Sequence, residues 1–116
     1  MRVLIDECVD PRIKSLLVDH KPATVHEKAW GAYEDGPLLA VAQNEFDVLL
    51  TIDRKLEFQQ NLAKYRIGLL VVHVPKNQIS YYRAMQTEIL AAIVRIRHGE
   101  AIHVGRQVPR FDEPFA

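Results

Sequence analysis

Apolar residues along the chain fall into two kinds of pattern. The first is the short run, nearly unbroken by polar residues: Val3 to Ile5, Val48 to Ile52 and Gly68 to Val74. Runs of this length without polar alternation suit strands buried on both faces, as in a parallel sheet covered by helices. Two of the runs end in acid, RVLIDE at 2 to 7 and VLLTID at 48 to 53, whereas the third ends at Pro75. Weaker strands are expected at Ala23 to His26, after Lys21-Pro22, and at Ile102 to Val104, on a sheet edge.

The second pattern is helical. Asp10-Pro11 reads as an N-cap followed by proline at the first helical position, and Ile13, Leu16 and Leu17 then share one face. Asp35-Gly36-Pro37 opens a second helix with a buried stripe of Leu38, Leu39, Ala42 and Phe46. Residues 55 to 64, with Leu56, Phe58 and Leu62, predict a short helix over a sheet edge. Ser80 caps a long helix in which Met85, Ile89, Ala92, Ile93 and Ile96 recur every three or four residues. Arg95, Arg97 and His98 complement the dipole of its last turn, and Gly99 supplies a left-handed stop. Trp30 to Tyr33 reads as a loop, and the tail from Arg106, with Pro109 and Pro114, as extended or partly disordered.

Strands alternating with helices predict a layered α/β domain with a mostly parallel central sheet. A length of 116 residues fits one such domain, and 48% hydrophobic with 26% charged residues is a globular composition that folds unaided. Fifteen basic and fifteen acidic residues cancel, so any polyanion must be held locally and not by a global field. Lone Cys8 has no internal disulfide partner, and the three apolar residues before Asp6 are too few for a signal-peptide core. With no apolar stretch of ~18 residues, a cytoplasmic protein without membrane contact is the expectation.

Ligands of open α/β sheets bind outside the carboxyl ends of the strands. Asp6 and Asp53 both follow strand runs, a helix starting at Asp35 begins near the same edge, and Glu7 adds a fourth acid. Carboxylates crowded together raise one another's proton affinity unless a cation intervenes. Oxygen-only ligands suit Mg²⁺ or Mn²⁺ and disfavour zinc, and the five histidines lack any paired ligand spacing. Such an ion binds phosphate oxygens and activates water for in-line attack on a phosphodiester. Arg54 and Lys55 would hold flanking phosphates, with Lys64, Arg66 and Lys76 as further candidates.

Plainer readings stand beside these. Asp35 also fits an ordinary N-cap, and Asp6 a turn before Pro11. Cys8 reads as a small buried residue, Trp30 and Tyr33 as loop aromatics closing over the core, and Tyr81 and Tyr82 as packing residues.

IDE at 5 to 7, DGPLLAVAQ at 35 to 43 and VLLTIDR at 48 to 54 together resemble a PIN-like domain family of unknown function, related to the PIN-domain ribonuclease toxins of toxin-antitoxin systems. The resemblance covers residues 1 to 75. It implies a PIN-like three-layer α/β/α fold over residues 1 to 105, with 106 to 116 as a C-terminal tail. It also implies cleavage of single-stranded RNA with Mg²⁺ or Mn²⁺, under control of a small antitoxin protein. Carried over by position, Asp6, Asp35 and Asp53 are the catalytic acids, and with Glu7 they are the metal ligands. Many relatives carry another Asp where this chain has Lys55, a departure that would weaken the metal, shift it toward Glu57, or mark a member that binds without cutting.

Two other functions fit the chain. A phosphoacceptor receiver domain also has an acidic pair after its first strand and an Asp after a central one. It needs, however, a hydroxyl residue at the next strand's tip, where His73-Val74-Pro75 stands here, and a Lys after a fifth strand. A non-catalytic PIN-like binding protein, dimerising through the 80 to 97 helix, is the third reading.

Overall fold

The computed structural model describes residues 1–106. Five strands form one sheet: β1 (Arg2–Ile5), β2 (Lys21–Thr24), β3 (Val48–Thr51), β4 (Gly68–Val72) and β5 (Ala101–Val104). All neighbours run parallel, in the order β2-β1-β3-β4-β5. The three apolar runs are the three interior strands, and β5 is the expected edge.

Strand alternation sends successive side chains into two separate cores. Val3, Ile5, Val48, Leu50, Leu70 and Val72 face one side, where α3 (Ile79–Ala84), α4 (Gln86–Arg95) and a 3-10 helix at Pro11–Leu16 cover them. Leu4, Leu49, Leu69 and Val71 face the other, under α1 (Asp35–Ala42) and the single-turn α2 (Leu56–Gln59). The fold is therefore three-layered α/β/α, as its class was expected to be.

Several local expectations change. The 10 to 17 segment is capped as predicted, with Asp10 Oδ1 accepting from Arg12 N at 3.0 Å, but it winds as a 3-10 helix and not an α-helix. Strand β2 includes Pro22, because an edge strand tolerates a residue without an N–H. Glu34, not Asp35, is the N-cap residue of α1 and makes no side-chain capping bond, which leaves Asp35 in the first turn. Phe46 lies beyond the end of α1 yet is buried, edge-on to Trp30 with ring centroids 6.0 Å apart.

The predicted long helix starts at Ile79 and bends at Met85, where φ is −107° and ψ 13°. The bend lets α3 pack on the 3-10 helix while α4 lies across β4 and β5. Gly99 takes the left-handed conformation, φ +83°, and donates its N–H to Ile67 O. Of the expected C-terminal tail, residues 107 to 116 lie outside the described residues. Among the described residues, no helix is long and apolar enough to cross a membrane.

Candidate functional site

The strand order reverses direction at β1: β2 lies on one side of it and β3 on the other. At such a switch point the loops leaving the two central strands part in opposite directions and open a crevice at the carboxyl edge. Asp6 follows β1 and Asp53 follows β3, so the two acids flank that crevice. It is an open cleft of about 450 Å³ lined by Asp6, Glu7, Cys8, Asp35, Ile52, Asp53, Arg54 and Lys55. Every residue expected to ligate a metal, and both cations placed beside them, are on this lining. Lys64, Arg66 and Lys76 are not, and Arg66 instead donates to Asn44 Oδ1 and Gln43 Oε1.

Each carboxylate at the strand tips is held. Asp6 Oδ2 accepts from Thr51 Oγ1 at 2.7 Å, and its Oδ1 accepts from the Glu7 N–H at 2.9 Å. Asp53 Oδ1 accepts from the Lys55 N–H at 2.9 Å, and the Asp53 N–H donates to Thr51 Oγ1 at 3.1 Å. Thr51 is fully buried and joins both acids through one hydroxyl, a role the sequence reading missed. Its signal was a hydroxyl two residues before the acid, inside an otherwise apolar strand.

Asn77 is a second residue that was missed. Its Nδ2 donates to Cys8 O, and its Oδ1 accepts from Asp10 N and Tyr82 Oη, fastening the loop after β1 to the loop after β4. A partner this far along the chain leaves no local pattern to read. On the opposite rim the Trp30–Tyr33 loop closes on Glu7, because a Cβ on Gly31 would stand 3.1 Å from Glu7 Oε2.

Asp35 carries the cleft's electrostatic signature. Its pKa is raised, first by desolvation and then by the negative charges of Asp6, Asp53 and Glu34. Cys8 is solvent-accessible at the rim, yet its thiol pKa is also raised, by desolvation and then by Asp6. The shift disfavours a thiolate and with it a nucleophilic or redox role. With the single hydroxyl proton of Thr51 committed to Asp6, the thiol is the donor in its 3.5 Å contact with Thr51 Oγ1.

One part of the expectation is corrected. Among the described residues no group of three or more His, Cys, Asp or Glu side chains stands close enough to share one metal ion. The acids converge on a cleft without forming a cage. Glu57 is not an alternative ligand, since it bonds His103 and does not line the cleft. Mg²⁺ nonetheless fits the donor set: it is commonly bound through one or two carboxylates and keeps several of its waters.

No family model, curated protein or solved structure matches this chain.

Proposed function

We propose that the chain is a Mg²⁺- or Mn²⁺-dependent ribonuclease that hydrolyses phosphodiester bonds of single-stranded RNA. The observation that carries this reading is the meeting of Asp6, Asp35 and Asp53, from three separate segments, on one cleft at the switch point, with Arg54 and Lys55 on the same wall. Asp35 is raised in pKa by desolvation and then by the charges of Asp6, Asp53 and Glu34, so a divalent cation there would relieve a repulsion already present.

Asp6, Glu7, Asp35 and Asp53, which line the cleft together, are the residues that would hold the cation. The bound ion would supply Lewis-acid polarisation of a phosphate oxygen and a more acidic water. The chain's own residues do the rest. Arg54 and Lys55 neutralise flanking phosphates, Thr51 keeps the Asp6 carboxylate in one orientation, and Asp35 brings a further carboxylate to the cleft. A toxin role under a small antitoxin protein, and a homodimer, extend the proposal on the resemblance of residues 1 to 75 alone.

Strand order favours one other reading, since receiver domains share the 2-1-3-4-5 arrangement. The residues that would contact an acyl phosphate weigh against it: β4 is followed by His73 and Val74, and β5 by Gly105 and Arg106, with neither a hydroxyl nor a lysine at those tips.

The test is cleavage of end-labelled single-stranded RNA with Mg²⁺ or Mn²⁺, run beside Asp6→Ala and Asp53→Ala. The proposal expects metal-dependent cleavage that both substitutions abolish while the fold is retained. Cleavage indifferent to both substitutions, or none by the native chain, overturns it. Stable labelling of Asp53 by acetyl phosphate would establish the receiver reading in its place.

A further inference from the structure

A second set of titratable groups lies outside the cleft lining and crosses three elements. Glu57 of α2 is hydrogen-bonded to Nε2 of His103 on β5, and His103 Nδ1 stands 2.7 Å from Nε2 of His73, the residue after β4. All three are sheltered: His73 is buried, and the side chains of His103 and Glu57 are 10% and 17% exposed. The last atom in the row, His73 Nδ1, is buried and has no hydrogen-bond partner among the described residues. A buried polar nitrogen without a partner calls for an explanation.

Proton bookkeeping along the row gives that nitrogen two states. An ionised Glu57 accepts, so His103 Nε2 must carry hydrogen. Only one proton fits between His103 Nδ1 and His73 Nε2. With His103 neutral, that proton belongs to His73, and His73 Nδ1 is a bare acceptor. With His103 protonated on both nitrogens, His73 is the opposite tautomer, and its Nδ1 carries the hydrogen.

The geometry points to Glu57, His103 and His73 being a buried proton relay that positions the Arg54–Lys55 corner of the acid cleft and stores a proton. A proton taken up at His73 Nδ1 is matched by transfer of the Nε2 proton to His103 Nδ1, and the positive charge comes to rest beside Glu57. Glu57 sits in the single turn that directly follows Asp53, Arg54 and Lys55, so the row ties that corner to the tips of β4 and β5.

The groups acting on His73 are Arg54, His103, Arg106 and Glu57. Burial and the charges of Arg54 and Arg106 oppose charge on His73 itself, whereas His103 stands against Glu57, which is why the stored proton resides on His103. Around His103, Glu88 and Arg95 of α4 and Arg106 line a shared hollow. Because Arg54 acts on His73, the charge of the relay acts in turn on an arginine that lines the cleft.

The test is a pH titration of the ¹⁵N-labelled full chain, following the imidazole nitrogens of His73 and His103 with the amides of Arg54 and Lys55. It needs no cleavage activity, so it succeeds or fails independently of the nuclease reading. Bare His73 Nδ1 is expected at high pH. One step should then protonate His103, move hydrogen onto His73 Nδ1 and shift the Arg54 and Lys55 amides with the same midpoint. Glu57→Gln keeps the shape but removes the charge, and is expected to lower that midpoint. Separate titrations of the two histidines, an unchanged His73 tautomer, stationary Arg54 and Lys55 amides, or an unmoved midpoint in Glu57→Gln would each overturn it. Were Glu57→Gln not to fold, the native titration decides by itself.

Discussion

Thr51 Oγ1 donates to Asp6 Oδ2 at 2.7 Å and thereby binds the acid at the tip of β1 to the strand that carries Asp53. The same oxygen accepts from the Asp53 N–H at 3.1 Å. One buried hydroxyl thus sets the relative position of two cleft carboxylates.

Thr51→Val keeps the shape and removes both bonds. The Asp53 N–H loses its acceptor, while the Asp6 carboxylate can turn to the water of an open cleft, so the cost should sit at the lower end of the usual range, about 1 kcal/mol. Urea unfolding measures it. The loss of divalent-cation affinity should exceed what that modest destabilisation explains, because Asp6 is no longer oriented.

Asp35→Asn is expected to act oppositely on stability and function. A carboxylate whose folded pKa is raised costs stability once pH exceeds both its folded and unfolded values. Removing its charge should therefore stabilise the metal-free protein at neutral pH by about 0.5 kcal/mol after solvent screening. Thermal midpoints with and without Mg²⁺ check this: the variant should melt higher without the ion and gain less from adding it.

His73 predicts a pH dependence. Burial, Arg54, His103 and Arg106 lower its pKa from 6.5 to about 4. Between those values the unfolded chain binds a proton that the folded chain refuses. This contribution to stability is therefore complete above 6.5 and declines as pH falls toward 4, by a total of about 1 to 3 kcal/mol. Over pH 6.5 to 5, above the range where most carboxylates titrate, unfolding free energy should fall more steeply in the native chain than in His73→Gln.

Gly68→Ala tests the packing beneath β4. A Cβ there would lie 2.8 Å from Ile96 Cγ1 and 3.1 Å from the Arg97 carbonyl oxygen, and backbone cannot turn aside as a side chain can. Destabilisation of about 1 to 3 kcal/mol is expected in denaturant melts, with no direct effect on the cleft.

Much of this architecture was legible in the sequence because burial on both faces of a parallel sheet leaves a direct trace. Val3 to Ile5, Val48 to Ile52 and Gly68 to Val74 carry that trace and form the three central strands. The acids were legible too, since strand ends in a parallel sheet share one edge, and Asp6, Asp35 and Asp53 do line one cleft. Edge elements were harder to read: β2 accommodates Pro22, and the segment after Asp10 winds as a 3-10 helix, since neither is constrained from both sides. The bend at Met85 is set by what α3 and α4 pack against, which helical periodicity alone does not encode. Spacing also overstated how tightly the acids gather, because it places residues on an edge without fixing the distances between their side chains. Thr51 left a local trace as a hydroxyl two residues before Asp53, whereas Asn77 and the His73–His103 pair depend on contacts 30 to 69 residues apart, beyond the reach of any local pattern.

If the cleft between β1 and β3 takes a divalent cation through its acids, paramagnetic Mn²⁺ added to ¹⁵N-labelled protein will mark the residues around it. Saturable line broadening is expected, centred on the amides of Asp6, Glu7, Asp35, Asp53 and Arg54, competed away by Mg²⁺ and absent in a folded variant carrying Asp6→Asn with Asp53→Asn. Broadening centred elsewhere, or unchanged in that variant, would contradict it.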